Sequence, residues 1–167
     1  MNRILFSFIF LALASVSAAY EKIEFKGQIL SPAFLKPAAV AVAGGKVFVA
    51  DSKANAVFVF DTAGKQLKKI EGGLKAPEAI SFGAGRLYVA DTGNSRVAVF
   101  DADGKMLWAF SSEGSEPGQV KAPRGIAYGP DDRVYVSNTG NSRIDVFNAD
   151  GIYLYGFAVA RSDGVTK

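Results

Sequence analysis

Apolar positions in this chain come in short runs that alternate with period two, and the helical period of 3.6 is missing from the region 37–157. In the stretch that begins at Pro77 the runs fall at 79–82, 86–90, 96–100 and 106–110. Between them lie GAG, DTGNS and DADG. Glycine supplies positive φ at such points, and Asn and Asp bond turn backbone through their side chains. The pattern predicts four short antiparallel strands joined by tight turns.

The same pattern is written three times. PAAVAVAGGKVFVADSKANAVFVFDTAGKQLKKI starts at Pro37, PEAISFGAGRLYVADTGNSRVAVFDADGKMLWAF at Pro77, and PRGIAYGPDDRVYVSNTGNSRIDVFNADGIYLYGF at Pro123. The second spacing is longer because of an inserted polar loop, SSEGSEPGQVKA. Four strands in a unit of about 40 residues is the sequence signature of a propeller blade. The first run of each unit agrees. Val40 and Val42, Ile80 and Phe82, and Ile126 and Tyr128 share one face, while Ala39 and Ala41, Ala79 and Ser81, and Gly125 and Ala127 share the other. Large residues on one face and small ones on the other suit an innermost strand wedged between two neighbouring sheets. A sheet with one wet face alternates apolar with polar.

Three motifs of the second unit, Tyr-Val-Ala-Asp, Thr-Gly-Asn-Ser-Arg and Val-Phe-Asp-Ala-Asp-Gly, return in the third as Tyr-Val-Ser-Asn, Thr-Gly-Asn-Ser-Arg and Val-Phe-Asn-Ala-Asp-Gly, with GSEPGQVKAPRGI as a Gly-rich connection. Together they resemble the NHL repeat. The resemblance covers residues 37–157. It is weakest in the first unit, where SKANA stands for TGNSR and Ala56 takes the place of the Arg. It implies an all-β chain of three four-stranded antiparallel blades, half of an expected six-bladed β-propeller. The blades are then 37–76, 77–122 and 123–160, with 161–167 as a linker. Residues 20–36, containing YEKIEFKGQIL, read as an N-terminal strand that closes a last blade not among these three. The chain is therefore expected to be the front part of a longer protein, its missing blades supplied by the same gene or, alternatively, by a second copy.

Residues 1–19 fall outside this pattern. Arg3 precedes an apolar run at 4–14 broken only by Ser7, and the small residues of SVSAA follow. That is the pattern of a secretory signal, too short to span a bilayer comfortably. The expected product is exported, periplasmic or extracellular, with no membrane span after cleavage. The net charge is only +3 and the basic residues are scattered, which argues against a nucleic-acid partner. Cys and His are both absent, so no disulfide staples the core, and the commonest neutral-pH base and metal ligand is missing.

The candidate chemistry is sparse. Asp91 and Asn138 are expected to cap the turns between second and third strands, as is Asp51 in the first unit, with Asn94 and Asn141 in the left-handed region. DADG has the form of a hairpin turn and lacks the downstream Glu of an EF-hand calcium loop, since Phe110 and Phe157 occupy that place. No catalytic residue, metal or cofactor is assigned. Strand direction puts Glu78 and Arg124 on the same end as the TGNSR turns, with Arg96 and Arg143 near. These four are the candidate binding residues for a protein, peptide or glycan. The function expected is a non-catalytic interaction scaffold. The alternative is a metal-dependent lyase or hydrolase of the six-bladed kind, its catalytic residues in other blades.

Overall fold

A computed structural model describes residues 34–158. They form three separate antiparallel sheets of four strands, each in simple up-and-down order. Blade 1 contains β1 (Pro37–Ala43), β2 (Lys46–Asp51), β3 (Ala56–Asp61) and β4 (Gln66–Ile70). Blade 2 contains β5 (Pro77–Gly83), β6 (Arg86–Asp91), β7 (Arg96–Asp101) and β8 (Met106–Phe110). Blade 3 contains β9 (Gly125–Tyr128), β10 (Arg133–Asn138), β11 (Arg143–Asn148) and β12 (Tyr153–Ala158). The expected leader and the expected strand at 20–30 lie outside the described residues.

The turns follow from the acids and amides that open them. Asp101 Oδ1 accepts the backbone N–H of Asp103 at 3.0 Å and of Lys105 at 2.8 Å. Asp61 and Asn148 repeat the arrangement in the other blades. This is the hairpin-turn geometry expected of DADG. Past the turn the outermost strand bulges at one matched residue in every blade: Leu67, Leu107 and Leu154. All three are exposed. A bulge disrupts the hydrogen-bonding row of an edge strand and so blunts edge-to-edge pairing.

The first strands β1, β5 and β9 neighbour one another, as innermost strands must. The large face of each looks back at the preceding blade and the small face looks forward. Ala39, Ala41 and Ala43 join a core with Phe48, Val57, Val59, Ile80, Leu87, Val89 and Phe100. Ile126 and Tyr128 join the next core with Tyr88, Val97, Val99, Val134, Val136 and Phe147. Small residues are required on the forward face. A Cβ on Gly83 would fall 2.1 Å from the Tyr128 ring, so Gly is what lets the two innermost strands approach. Each fully buried Val, Leu or Phe in these layers contributes about 1.5–3 kcal/mol over an exposed one.

Burial follows neighbour count. Blade 2 is covered on both sides, and Leu87, Tyr88, Val89, Val97, Val99 and Phe100 are fully buried. Blade 1 leaves Val40 and Val42 more than 60% exposed on its back face, at 63% and 68%. Blade 3 leaves Tyr155 and Phe157 exposed on its forward face.

Candidate functional site

The TGNSR turns, the blade-opening prolines and the linkers between blades all meet at one end of the sheets. Register puts Pro77 opposite Asp91 and Pro37 opposite Asp51. Asp91 is completely buried. Its Oδ1 accepts the Lys75 backbone N–H at 2.7 Å. Its Oδ2 accepts Asn94 Nδ2–H at 2.8 Å and Arg96 Nε–H at 2.7 Å. Asn94 and Arg96 also donate to the Gly73 carbonyl, at 2.9 Å and 3.3 Å. Gly93 N–H donates to the Lys75 carbonyl at 2.8 Å. The motif therefore grips the linker that arrives from the preceding blade.

Blade 3 builds the same grip from a different set. Asn138 Oδ1 accepts the Lys121 N–H at 2.8 Å, while its Nδ2–H donates to the Gln119 carbonyl at 2.9 Å and to Asp145 Oδ2 at 2.5 Å. Arg143 Nε–H donates to Asp145 Oδ1 at 2.8 Å, and its Nη groups donate to the carbonyls of Ser115, Glu116 and Gln119. Asn141 Nδ2–H reaches the Gly114 carbonyl at 2.8 Å. The inserted loop is thus pinned at several points.

Blade 1 has no arginine at this place, and the buried Asp51 is held by backbone alone. It accepts the N–H groups of Leu35, Lys36, Lys53 and Ala54, at distances from 2.7 Å to 3.1 Å. Burial pushes the Asp51 carboxyl up, but the four backbone donors together outweigh burial and hold it below the usual value.

Two sequence expectations need correction. The carboxylate of Asp91 and the amide of Asn138 do not cap their own turns; neither makes a side-chain cap to the 3₁₀ turn that follows. They face backward, on the same side of the sheet as Val89 and Val136, and so meet the linker instead. Only Asp51 also caps its own turn. The left-handed residue is not Asn94 or Asn141 but the next one, Ser95 at φ 48° and Ser142 at φ 54°. Asn94 and Asn141 sit within the 3₁₀ turns, where their amides reach the linker carbonyls.

Glu78 and Arg124, each just after a blade-opening proline, form an ion pair at 3.3 Å between blades 2 and 3. The Arg124 side chain is 61% exposed. Arg96 and Arg143 are mostly covered, with Nε engaged by a buried acid and Nη by linker carbonyls. So the structure brings Glu78 and Arg124 together at the start of the innermost strands β5 and β9 and leaves Arg96 and Arg143 as ties further out. Sequence reasoning missed Asp145 and the lysines 36, 75 and 121, whose backbone groups are the ones gripped. The signals were present: a Lys sits one or two residues before each opening proline, and Asp145 stands where blade 2 has Ala98.

The NHL repeat profile matches residues 75–100 and 122–147, which take in β5 to β7 and β9 to β11 but for the last residue of β7 and of β11. The chain carries NHL repeats at these two places. Solved β-propellers share the fold. It is similar to the hydrazine synthase of Kuenenia stuttgartiensis, at 19% identity and a TM-score of 0.65 over 84% of this chain and 43% of that one. It is similar to virginiamycin B lyase from Staphylococcus aureus, at 18% identity and 0.64 over 76% and 42%. The nidogen/laminin complex also matches, at 14% identity and 0.63 over 78% and 50%. At these identities the likeness is one of fold. The chain spans half or less of the length of these structures. No curated protein matches it by sequence. Among the described residues no helix is long and apolar enough to cross a membrane.

Proposed function

We propose that the chain is exported and serves as a non-catalytic binding scaffold, taking a protein, peptide or glycan on the end of the propeller that carries the opening prolines. The observation behind this reading is the Glu78–Arg124 pair. It places one exposed cation beside one mostly covered carboxylate at the rim of the innermost strands. A pair with one partner this exposed adds little stability, about 0–1 kcal/mol, and its cation is open to a polar ligand. The TGNSR residues beside it hold the backbone that positions it. Loops and strand ends on a rigid scaffold are where recognition concentrates.

The test is a glycan array and a phage-displayed peptide library, each probed with the wild-type chain and with Arg124→Glu. The reading expects a ligand whose affinity falls about tenfold or more, the equivalent of one contact of roughly 1.4 kcal/mol, with the melting temperature unchanged. Ligands that bind both forms equally would contradict it, and turnover of a bound compound would favour the lyase alternative. Export is tested separately by sequencing the N-terminus of the secreted chain, expected at Ala19 or Tyr20; Met1 retained in a membrane fraction would contradict it.

A further inference from the structure

Contacts between consecutive blades recur position by position. The residue that opens the second strand reaches the second acid of the turn between third and fourth strands in the next blade. Lys46 Nζ lies 3.3 Å from Asp103 Oδ1, and Arg86 Nη1 lies 3.3 Å from Asp150 Oδ1. Two residues further along the same strand is an aromatic ring, which packs on the last large residue of the next blade's first strand. Phe48 stacks on Phe82 with centroids 5.8 Å apart, and Tyr88 packs on Tyr128 at 5.4 Å.

Blade 3 carries the donor half of both contacts. Arg133 opens β10 and Tyr135 follows at the position of Phe48 and Tyr88. Their polar atoms turn to their own blade: Arg133 pairs with Asp131 at 3.1 Å, and Tyr135 O–H donates to Asp131 at 3.1 Å. Around them Ala127, Tyr155 and Phe157 are exposed. Blade 1 of a second copy does not supply the acceptor half. At the position of Asp103 and Asp150 it has Ala63, and at that of Phe82 and Tyr128 it has the smaller Val42.

We propose that the forward face of blade 3 docks a further blade of this repeat type that bears an acid at the Asp103 position and a large apolar side chain at the Phe82 position, and that the face selects such a blade over blade 1 of a second copy. Charge complementarity carries the choice. An arginine left opposite an alanine gains nothing, while an acid there recreates the two cross-blade pairs already present.

The chain itself supplies the probe. Ala63 is an exposed turn residue, so Ala63→Asp leaves the fold intact, and Ala63→Asp/Val42→Phe installs both missing features. Sedimentation velocity over a concentration series compares these with wild type, and thermal melts confirm folding. The proposal expects head-to-tail association to tighten a few-fold in Ala63→Asp, as an exposed ion pair allows, further in the double variant, and to be lost when Arg133→Glu is added. Wild type that dimerises as tightly as the variants would make a second copy the natural occupant. No gain in Ala63→Asp, or a gain untouched by Arg133→Glu, would show that the face does not select by this pair. Either result overturns the proposal.

Discussion

Asp145 on β11 holds Arg143 Nε at 2.8 Å, and it does so from the strand after the one on which Asp91 holds Arg96 Nε at 2.7 Å. Both acids are completely buried. Blade 3 has exchanged the acid of β6 for an amide, Asn138, and moved the carboxylate to the place of Ala98. Each arginine keeps one buried acid, and the linker N–H keeps one oxygen.

That exchange can be reversed. Asp145→Ala strips the carboxylate from Arg143 and the acceptor from Asn138, and a hydrogen bond to a charged group is worth about 1.5–3 kcal/mol. Chemical denaturation should show a loss of about 2 kcal/mol. Adding Asn138→Asp rebuilds the blade 2 arrangement and should recover most of it. No recovery would mean that the two positions are not equivalent.

Asp51 couples stability to acid. Its folded carboxyl lies below the unfolded value of about 3.9. A depressed carboxyl contributes stability that is complete above the unfolded pKa and is lost as pH falls through the folded one. Melting temperatures taken downward from about pH 5 should drop more steeply for wild type than for Asp51→Asn. Parallel curves would remove Asp51 from the acid transition.

Tyr128 acts at the other end of the scale. Its hydroxyl donates to Asp132 at 2.6 Å, and this bond, with burial second, pushes its pKa up to about 12. The protonated ring contributes stability that is complete below about pH 10, the unfolded value, and is lost as pH rises through the folded pKa. Ultraviolet titration should show this tyrosine ionising late, and Asp132→Asn should bring it down. An unchanged titration would deny the bond.

Gly83 sets the spacing of blades 2 and 3. Gly83→Ala places a methyl 2.1 Å from the Tyr128 ring, and overpacking of this kind costs about 1–3 kcal/mol. Tyr128→Val in the same chain should return part of the loss. A neutral Gly83→Ala would show that the strands separate freely.

Much of this was legible in the sequence, because strands and turns are local. The period-two runs and the DADG turns located the strands of blade 2 to within a residue or two. The strands run slightly longer because Asp91 and Asp101 still pair across the ladder. The alternation of large and small residues identified the innermost strands, but not which face looks forward. That depends on which neighbour comes next in space, which no single strand encodes. The grip on the linkers was hidden for another reason. Its acceptors and donors are backbone groups of Gly73, Lys75 and Lys121, which leave no side-chain signature. Asp145 becomes visible only when repeats two and three are compared position by position. Arg96 and Arg143 read as free recognition residues until the linker carbonyls that engage them are seen.

The central claim is that each blade is held by its neighbours, so that blade 2, covered on both faces, is the most stable part of the described chain. Native-state hydrogen exchange reads this residue by residue. The slowest amides should fall in β6 and β7, with β1 to β3 and β9 to β12 opening at lower free energy, as expected of units stabilised by nearest-neighbour contacts. Equal protection across the three blades, or the slowest exchange in blade 1 or blade 3, would contradict it.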